Sequence, residues 1–178
     1  ALIEDPRTEI IVLVSKPPAK DVEDQILKIA ANAGKPVVVC FIGGDAEKIK
    51  KAGLYAAVSL EDAAHKAVAL AKGEAVSDFE DFTMGLEKAE VLAVEEKAGM
   101  IQGQKYVRGL YTGGTICDEA MKLLIGSMGH IYSNIPLKAE DKLENARNGK
   151  SRENTFLDFG DDEFTVGRPH PMIDPSLR

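Results

Sequence analysis

The chain has 178 residues, 44% of them hydrophobic and 29% charged, with no Trp and a net charge of −7. Roughly 150 residues per domain makes this one large domain or two small ones, and a chain of this size buries about 70% of its unfolded surface without a disulfide or metal staple. An acidic balance with no basic cluster longer than Lys48, Lys50 and Lys51 argues against non-specific nucleic-acid binding and against polybasic membrane docking.

In the first third, apolar runs and helical spacing alternate. Glu9 to Ser15 is a near-continuous β-branched run, the pattern of a strand buried on both faces. Pro17 and Pro18 break it. From Asp21, the residues Val22, Ile26, Leu27, Ile29, Ala30 and Ala33 follow helical spacing until Gly34. Val37 to Ile42 is a second buried strand, and Gly43-Gly44-Asp45 turns into a short helix over 46–51. Tyr55 to Val58 suits a third strand. Ser59, with Asp62 three residues on, caps a helix that runs to Lys72. Strands alternating with helices over short connections predict a parallel sheet with right-handed crossovers.

Residues 74–100 carry eight acidic and two basic side chains, whereas 1–73 are balanced at ten each. The stretch reads as an acidic linker, with Phe79 and Phe82 packing on a neighbouring domain, followed by a helix from Gly85. Beyond it the α/β pattern restarts. A strand over 105–112 runs through Gly113-Gly114 into a helix from Thr115. Residues 131–133 form a short strand, 136–153 read as a mobile surface loop, and 155–160 form another strand. The expected domains are therefore 1–73, the linker and helix over 74–100, and a second α/β domain over 101–178, read as the start of a truncated one. The longest apolar runs fall well short of the roughly 18 residues of a membrane span. Cys40 and Cys117 lack metal-ligand spacing and read as reduced thiols, so the expected location is cytoplasmic.

Three stretches could carry chemistry. Gly113, Gly114 and Thr115 stand between a strand and a helix, where backbone amides and the helix dipole attract phosphate or carboxylate; a turn closed by Thr115 and Asp118 without ligand is the plainer reading. The run from Asp158 through Gly160 to Glu163 clusters carboxylates at a strand end, but it lacks the spacing of a calcium loop, and no metal site is expected. In residues 167–175 three prolines stiffen a loop bearing Arg168, suited to clamping a carboxylate or phosphate, and His170, suited to proton transfer near neutral pH. A rigid surface loop explains the prolines equally well. His65 and His130 read as surface or turn residues.

Arg108 to Met121 (RGLYTGGTICDEAM) and Phe156 to Pro175 (FLDFGDDEFTVGRPHPMIDP) closely resemble the FdrA family, whose members are similar to the subunits of succinyl-CoA synthetase. Residues 4–9 (EDPRTE) and 35–38 (KPVV) are similar to the lead-in and second strand of the flavodoxin-like domain of the synthetase α subunit. The resemblance implies a flavodoxin-like parallel sheet flanked by helices plus a partial second α/β domain. FdrA chains extend further at both ends, which fits an internal fragment. The synthetases carry a phosphorylated histidine in a Gly-His-Ala-Gly loop after the second strand; here Gly43-Gly44-Asp45 runs straight into Ala46 and no histidine precedes His65.

What the resemblance implies is part of an acyl-CoA ligase-like enzyme with a phosphate site at Gly113, Gly114 and Thr115 and a second strand-end site at Asp158 and Gly160. Asp161 and Asp162 replace glycines of the synthetase β-subunit site. Arg168 and His170 are the candidate catalytic residues, one orienting a carboxylate and the other moving a proton. No cofactor is assigned to the fragment; CoA or a phosphate-bearing substrate belongs to the full-length protein. Family members linked to oxamate and allantoin breakdown imply the alternative of a carbamoyltransferase subunit using carbamoyl phosphate. A non-catalytic assembly module is the other alternative. The expected partners are a small acyl or carbamoyl donor and other domains or subunits in a homo- or hetero-oligomer, and the fragment is expected to be inactive alone.

Overall fold

The computed structural model describes residues 1–78 and 84–177. Phe79 and Phe82 lie outside the described residues. The chain divides into two compact units, Ala1–Gly99 and Met100–Arg178.

The first unit runs β1 (Ile11–Ser15), α1 (Lys20–Ala31), β2 (Val37–Phe41), α2 (Ala46–Lys51), β3 (Tyr55–Ala56), α3 (Leu60–Lys72) and α4 (Leu86–Ala98). Its three strands are parallel and lie in chain order, β1-β2-β3, with Ile11 opposite Val37 and Val39 opposite Ala56. Two crossovers in the same direction put α1 and α2 on one face, since right-handed connections leave no other choice. There Leu27, Ala30 and Ile49 pack on Ile11, Val37, Val39 and Phe41. The return through α3 covers the other face, where Ala63 meets Val38, Cys40, Ile42 and Ala57. All five residues of β2 are consequently buried.

Glu9 to Ser15 departs from its expected burial. β1 is an edge strand, and Val12 and Val14 are exposed, because among the described residues no strand pairs beyond it and α3 covers its outer face only in part. Helix starts follow their caps: Ser59 accepts from the Asp62 amide at 3.1 Å and Asp45 from the Lys48 amide at 3.1 Å. In α4, Leu86, Val91 and Val94 are spread around the helix and exposed, and the helix buries no residue.

The second unit runs β4 (Arg108–Tyr111), α5 (Gly114–Met128), β5 (Tyr132–Ser133), 3-10 turns at Ala139–Asp141 and Ala146–Asn148, β6 (Thr155–Asp158), α6 (Asp162–Thr165) and a last 3-10 turn at Pro175–Leu177. The strands are again parallel, but their order is β4-β6-β5. Helix α5 covers one face, with Cys117 and Met121 on Phe156 and Ile131. Residues 134–154 return to β6 over the other, where Leu143 and Ala146 pack with Tyr132 and Phe164.

That return segment was expected to be a mobile loop and is instead tied down. The Leu143 amide donates to the Ser133 carbonyl at 2.8 Å, the Lys142 ammonium to the Asn134 carbonyl, and Asp141 is 1% exposed. Its apolar anchors are too sparse to show a period: Leu143 and Ala146 pack on this sheet face, and Leu137 joins the cluster under α5. Both units are α/β structures of parallel strands flanked by helices.

Candidate functional site

Inserting β6 between β4 and β5 makes the strand order reverse, and ligand crevices of open α/β sheets form outside the carboxyl ends of strands at such a reversal. Three segments leave the sheet at this edge: Thr112–Gly113 after β4, Asn134 after β5, and Phe159–Gly160 after β6.

Gly113 is the N-cap of α5 in an extended conformation, and no side chain caps the helix. The turn closed by Thr115 and Asp118 does not form: Asp118 instead pairs with Lys122 at 2.6 Å on the next turn. The first amides of α5 therefore retain the positive end of the helix dipole without a side-chain oxygen to satisfy them.

Asp158 is the last residue of β6 and is buried, 6% exposed. Its carboxylate is held in place by the Gly160 amide, which donates to Oδ1 at 2.9 Å. A Cβ on Gly114 would lie 2.8 Å from Asp158 Oδ2, and a Cβ on Gly160 would lie 3.1 Å from Oδ1. Gly114 is thus required by the closeness of this carboxylate, and Gly160 chiefly by that of the His170 ring, rather than by backbone dihedrals. His170 comes in from the proline-stiffened loop, its Nε2 at 2.5 Å from where a Gly160 Cβ would be. The Met172 amide donates to His170 Nδ1 at 3.2 Å, so the neutral ring carries its proton on Nε2, the nitrogen facing Gly160.

The structure therefore brings Gly113, Gly114, Thr115, Asp158, Gly160 and His170 to one edge. Arg168 is separated from them. It lines a cavity with Leu157, Phe159 and Phe164 that none of those six residues borders. Asp161 is also spent locally, accepting from the Glu163 amide at 3.0 Å as the N-cap of α6. Among the described residues no group of three His, Cys, Asp or Glu side chains converges to hold a metal ion.

Sequence reasoning missed Asn134, which organises this edge. Buried at 1% exposure, it donates from Nδ2 to the Asp158 carbonyl at 3.0 Å and accepts from the Asp158 amide at 2.9 Å. Its side chain thereby does the work of a strand where β5 has ended after two residues. Beside the crevice, the Tyr111 ring packs on Phe156 with centroids 5.7 Å apart, and burial, then the neighbouring Cys117 thiol, push its phenol above the ordinary range. Tyr111 is consequently a neutral hydroxyl at physiological pH. His130, expected as a plain turn residue, hydrogen-bonds Asp141 at 2.8 Å through Nδ1. His65 is a surface residue, 3.6 Å from Glu61.

Among the described residues no helix is long and apolar enough to cross a membrane. Over 177 residues the chain is 43% identical to the uncharacterized protein YahF of Escherichia coli (strain K12), an alignment covering 99% of this chain and 33% of YahF. The chain thus spans about a third of the length of the curated relative it matches. Residues 110–177, which contain α5, the Asp158 strand end and the His170 loop, match the family model of CoA-ligase. Over those residues the second unit is accordingly similar to CoA-ligase domains.

Proposed function

We propose that the second unit is the anion-handling part of an acyl-CoA ligase-like enzyme of the FdrA type, with phosphate or carboxylate seated at Gly113, Gly114 and Thr115. The observation that carries this reading is the uncapped start of α5 at the point where the strand order reverses, facing Asp158 and His170. Fixed amide dipoles there would neutralise charge developing on an acyl-bound oxygen with little reorganisation. His170, with its proton on Nε2, is the candidate hydrogen-bond donor stabilising charge on a leaving group, and Asp158 the candidate acceptor for a proton on the attacking one. CoA, as the thiol acceptor, would come to the full-length protein. Arg168 lines its own cavity, so no role at the crevice is given to it.

A carbamoyl-transfer reading is favoured by one feature. A carboxylate held against the helix start suits an anion that also carries N–H donors, and carbamoyl phosphate has both where acetyl phosphate has a methyl group. Calorimetric titration of the 178-residue chain with inorganic, acetyl and carbamoyl phosphate tests both readings. Saturable binding of all three, lost in Gly114→Val, is the expected result for acyl chemistry. Carbamoyl phosphate binding about tenfold tighter than acetyl phosphate would select carbamoyl transfer. Silence with all three, or a Gly114→Val protein that binds like the parent, would remove the anion site and leave this piece an assembly module.

A further inference from the structure

The sheet face that α5 leaves free carries a cavity of about 590 Å³, within the range of small-molecule sites. Side chains alternate along a strand, so Phe156 points to α5 while Thr155 and Leu157 point the other way, level with Arg108 and Leu110 of β4. Leu110, Leu157, Phe159 and Phe164 form its apolar floor, the last two rings edge to face with centroids 4.9 Å apart.

Arg108, Arg147, Lys150 and Arg168 also line it, and among the described residues no Asp or Glu does. This sign is opposite to that of the whole chain, whose net charge is −7. Arg108 donates to the Val107 and Glu153 carbonyls, and Arg147 to the Glu163 carbonyl. Carbonyls orient a guanidinium without cancelling its charge. Among the described residues none of the four cations forms an ion pair with a carboxylate.

We propose that this cavity binds an amphipathic organic anion, its flat apolar body on the Leu110–Phe164 floor and its phosphate or carboxylate head held by Arg147, Lys150 and Arg168. The site is distinct from the helix start of α5, since none of Gly113, Gly114, Thr115, Asp158 and His170 borders it. Apolar floor and cationic rim each contribute, so neither a bare anion nor a neutral ring satisfies the site alone.

Naphthyl phosphate is a suitable probe, and the absence of Trp leaves its fluorescence unobscured. Titrated into the 178-residue chain, it is expected to bind saturably, about tenfold or more tightly than naphthol or inorganic phosphate. Lys150→Glu should weaken it about tenfold, and Leu110→Glu, which puts a negative charge on an exposed edge-strand position, should abolish it. Lys138→Ala, an exposed lysine outside the cavity, should bind like the parent. Circular dichroism confirms that each variant is folded. Naphthoate distinguishes the head group: equal binding assigns any anionic head, weaker binding assigns phosphate. Naphthyl phosphate binding no tighter than naphthol, insensitivity to both glutamate substitutions, or an equal loss in Lys138→Ala would overturn the proposal.

Discussion

The two units use the same parts to different ends. Each is three parallel strands with short helical crossovers, but the first orders them β1-β2-β3 and the second β4-β6-β5. In the first, successive crossovers run one way and the strand ends are closed tightly. The Gly44 amide returns to the Phe41 carbonyl at 2.7 Å and Asp45 caps α2 directly after β2. In the second, the chain must come back to insert β6. The connections therefore leave on opposite faces, and Gly113, Gly114, Asp158, Gly160 and His170 gather at the strand ends. Strand order, more than strand content, decides which unit has a reversal point where ligand crevices form.

The difference extends to what holds each sheet. The first core spreads over ten buried residues around β2, whereas the α5 face of the second rests on Cys117, Met121, Ile131 and Phe156. Phe156→Ala is expected to produce the largest effect, about 3–5 kcal/mol, because it empties the middle of that small cluster. Gly109 leaves room for this ring, as a Cβ there would sit 2.9 Å from it. Urea unfolding gives the magnitude and amide exchange the place: β4 and β6 should lose protection. An equal loss in β1 and β2 would break the distinction between two cores.

Asn134→Ala sharpens the comparison at the crevice. It orphans the buried amide and carbonyl of Asp158, at about 1–3 kcal/mol for each group left unsatisfied. Asn134→Asp keeps the acceptor but buries a carboxylate against the Asp158 carbonyl, so it should cost at least as much at neutral pH and less in acid, where a protonated carboxyl can donate. Equal stability of Asn134→Ala and the parent would show that the β5–β6 pairing does not need this side chain.

The smallest expected effect lies in the first unit. Lys66 is 5% exposed and donates to the Ala56 carbonyl, to Asp62 at 3.0 Å and to Asp78 at 3.4 Å. The Lys66 hydrogen bond, then the Lys50 charge, hold the Asp78 carboxyl below its ordinary range. A carboxylate whose folded pKa is depressed contributes stability above its unfolded value of about 3.9, and that contribution disappears as pH falls through the lower folded value. Asp78→Asn should therefore be slightly less stable than the parent at neutral pH and match it in strong acid. Salt should shrink the gap, since Asp78 is largely exposed. A gap unchanged by acid would assign the effect to packing.

Much of the fold was legible because the signals are local. Ser59 and Asp45 cap the helices they precede, Gly73 ends α3 in the left-handed conformation, and the β-branched run of β2 is buried throughout. The glycines of the crevice were legible too, as a short motif between strand and helix. Their physical reason was not, because it is the carboxylate of Asp158, 44 positions along the chain from Gly114. Arg168 and His170 read as a pair from spacing, yet the proline-stiffened loop turns one toward the cavity and the other toward Gly160.

Sequence alone thus settled the alternation of strands and helices and the caps at Asp45 and Ser59, which depend on residues within a turn or two of one another, and short crossovers settled the parallel sense. Only the tertiary structure decided the edge position of β1, the insertion of β6, the double hydrogen bond of Asn134 and the gathering of four cations around an apolar floor. These depend on contacts between residues up to 60 positions apart, as Arg108 and Arg168 are, and no local pattern encodes which strand a returning chain will join.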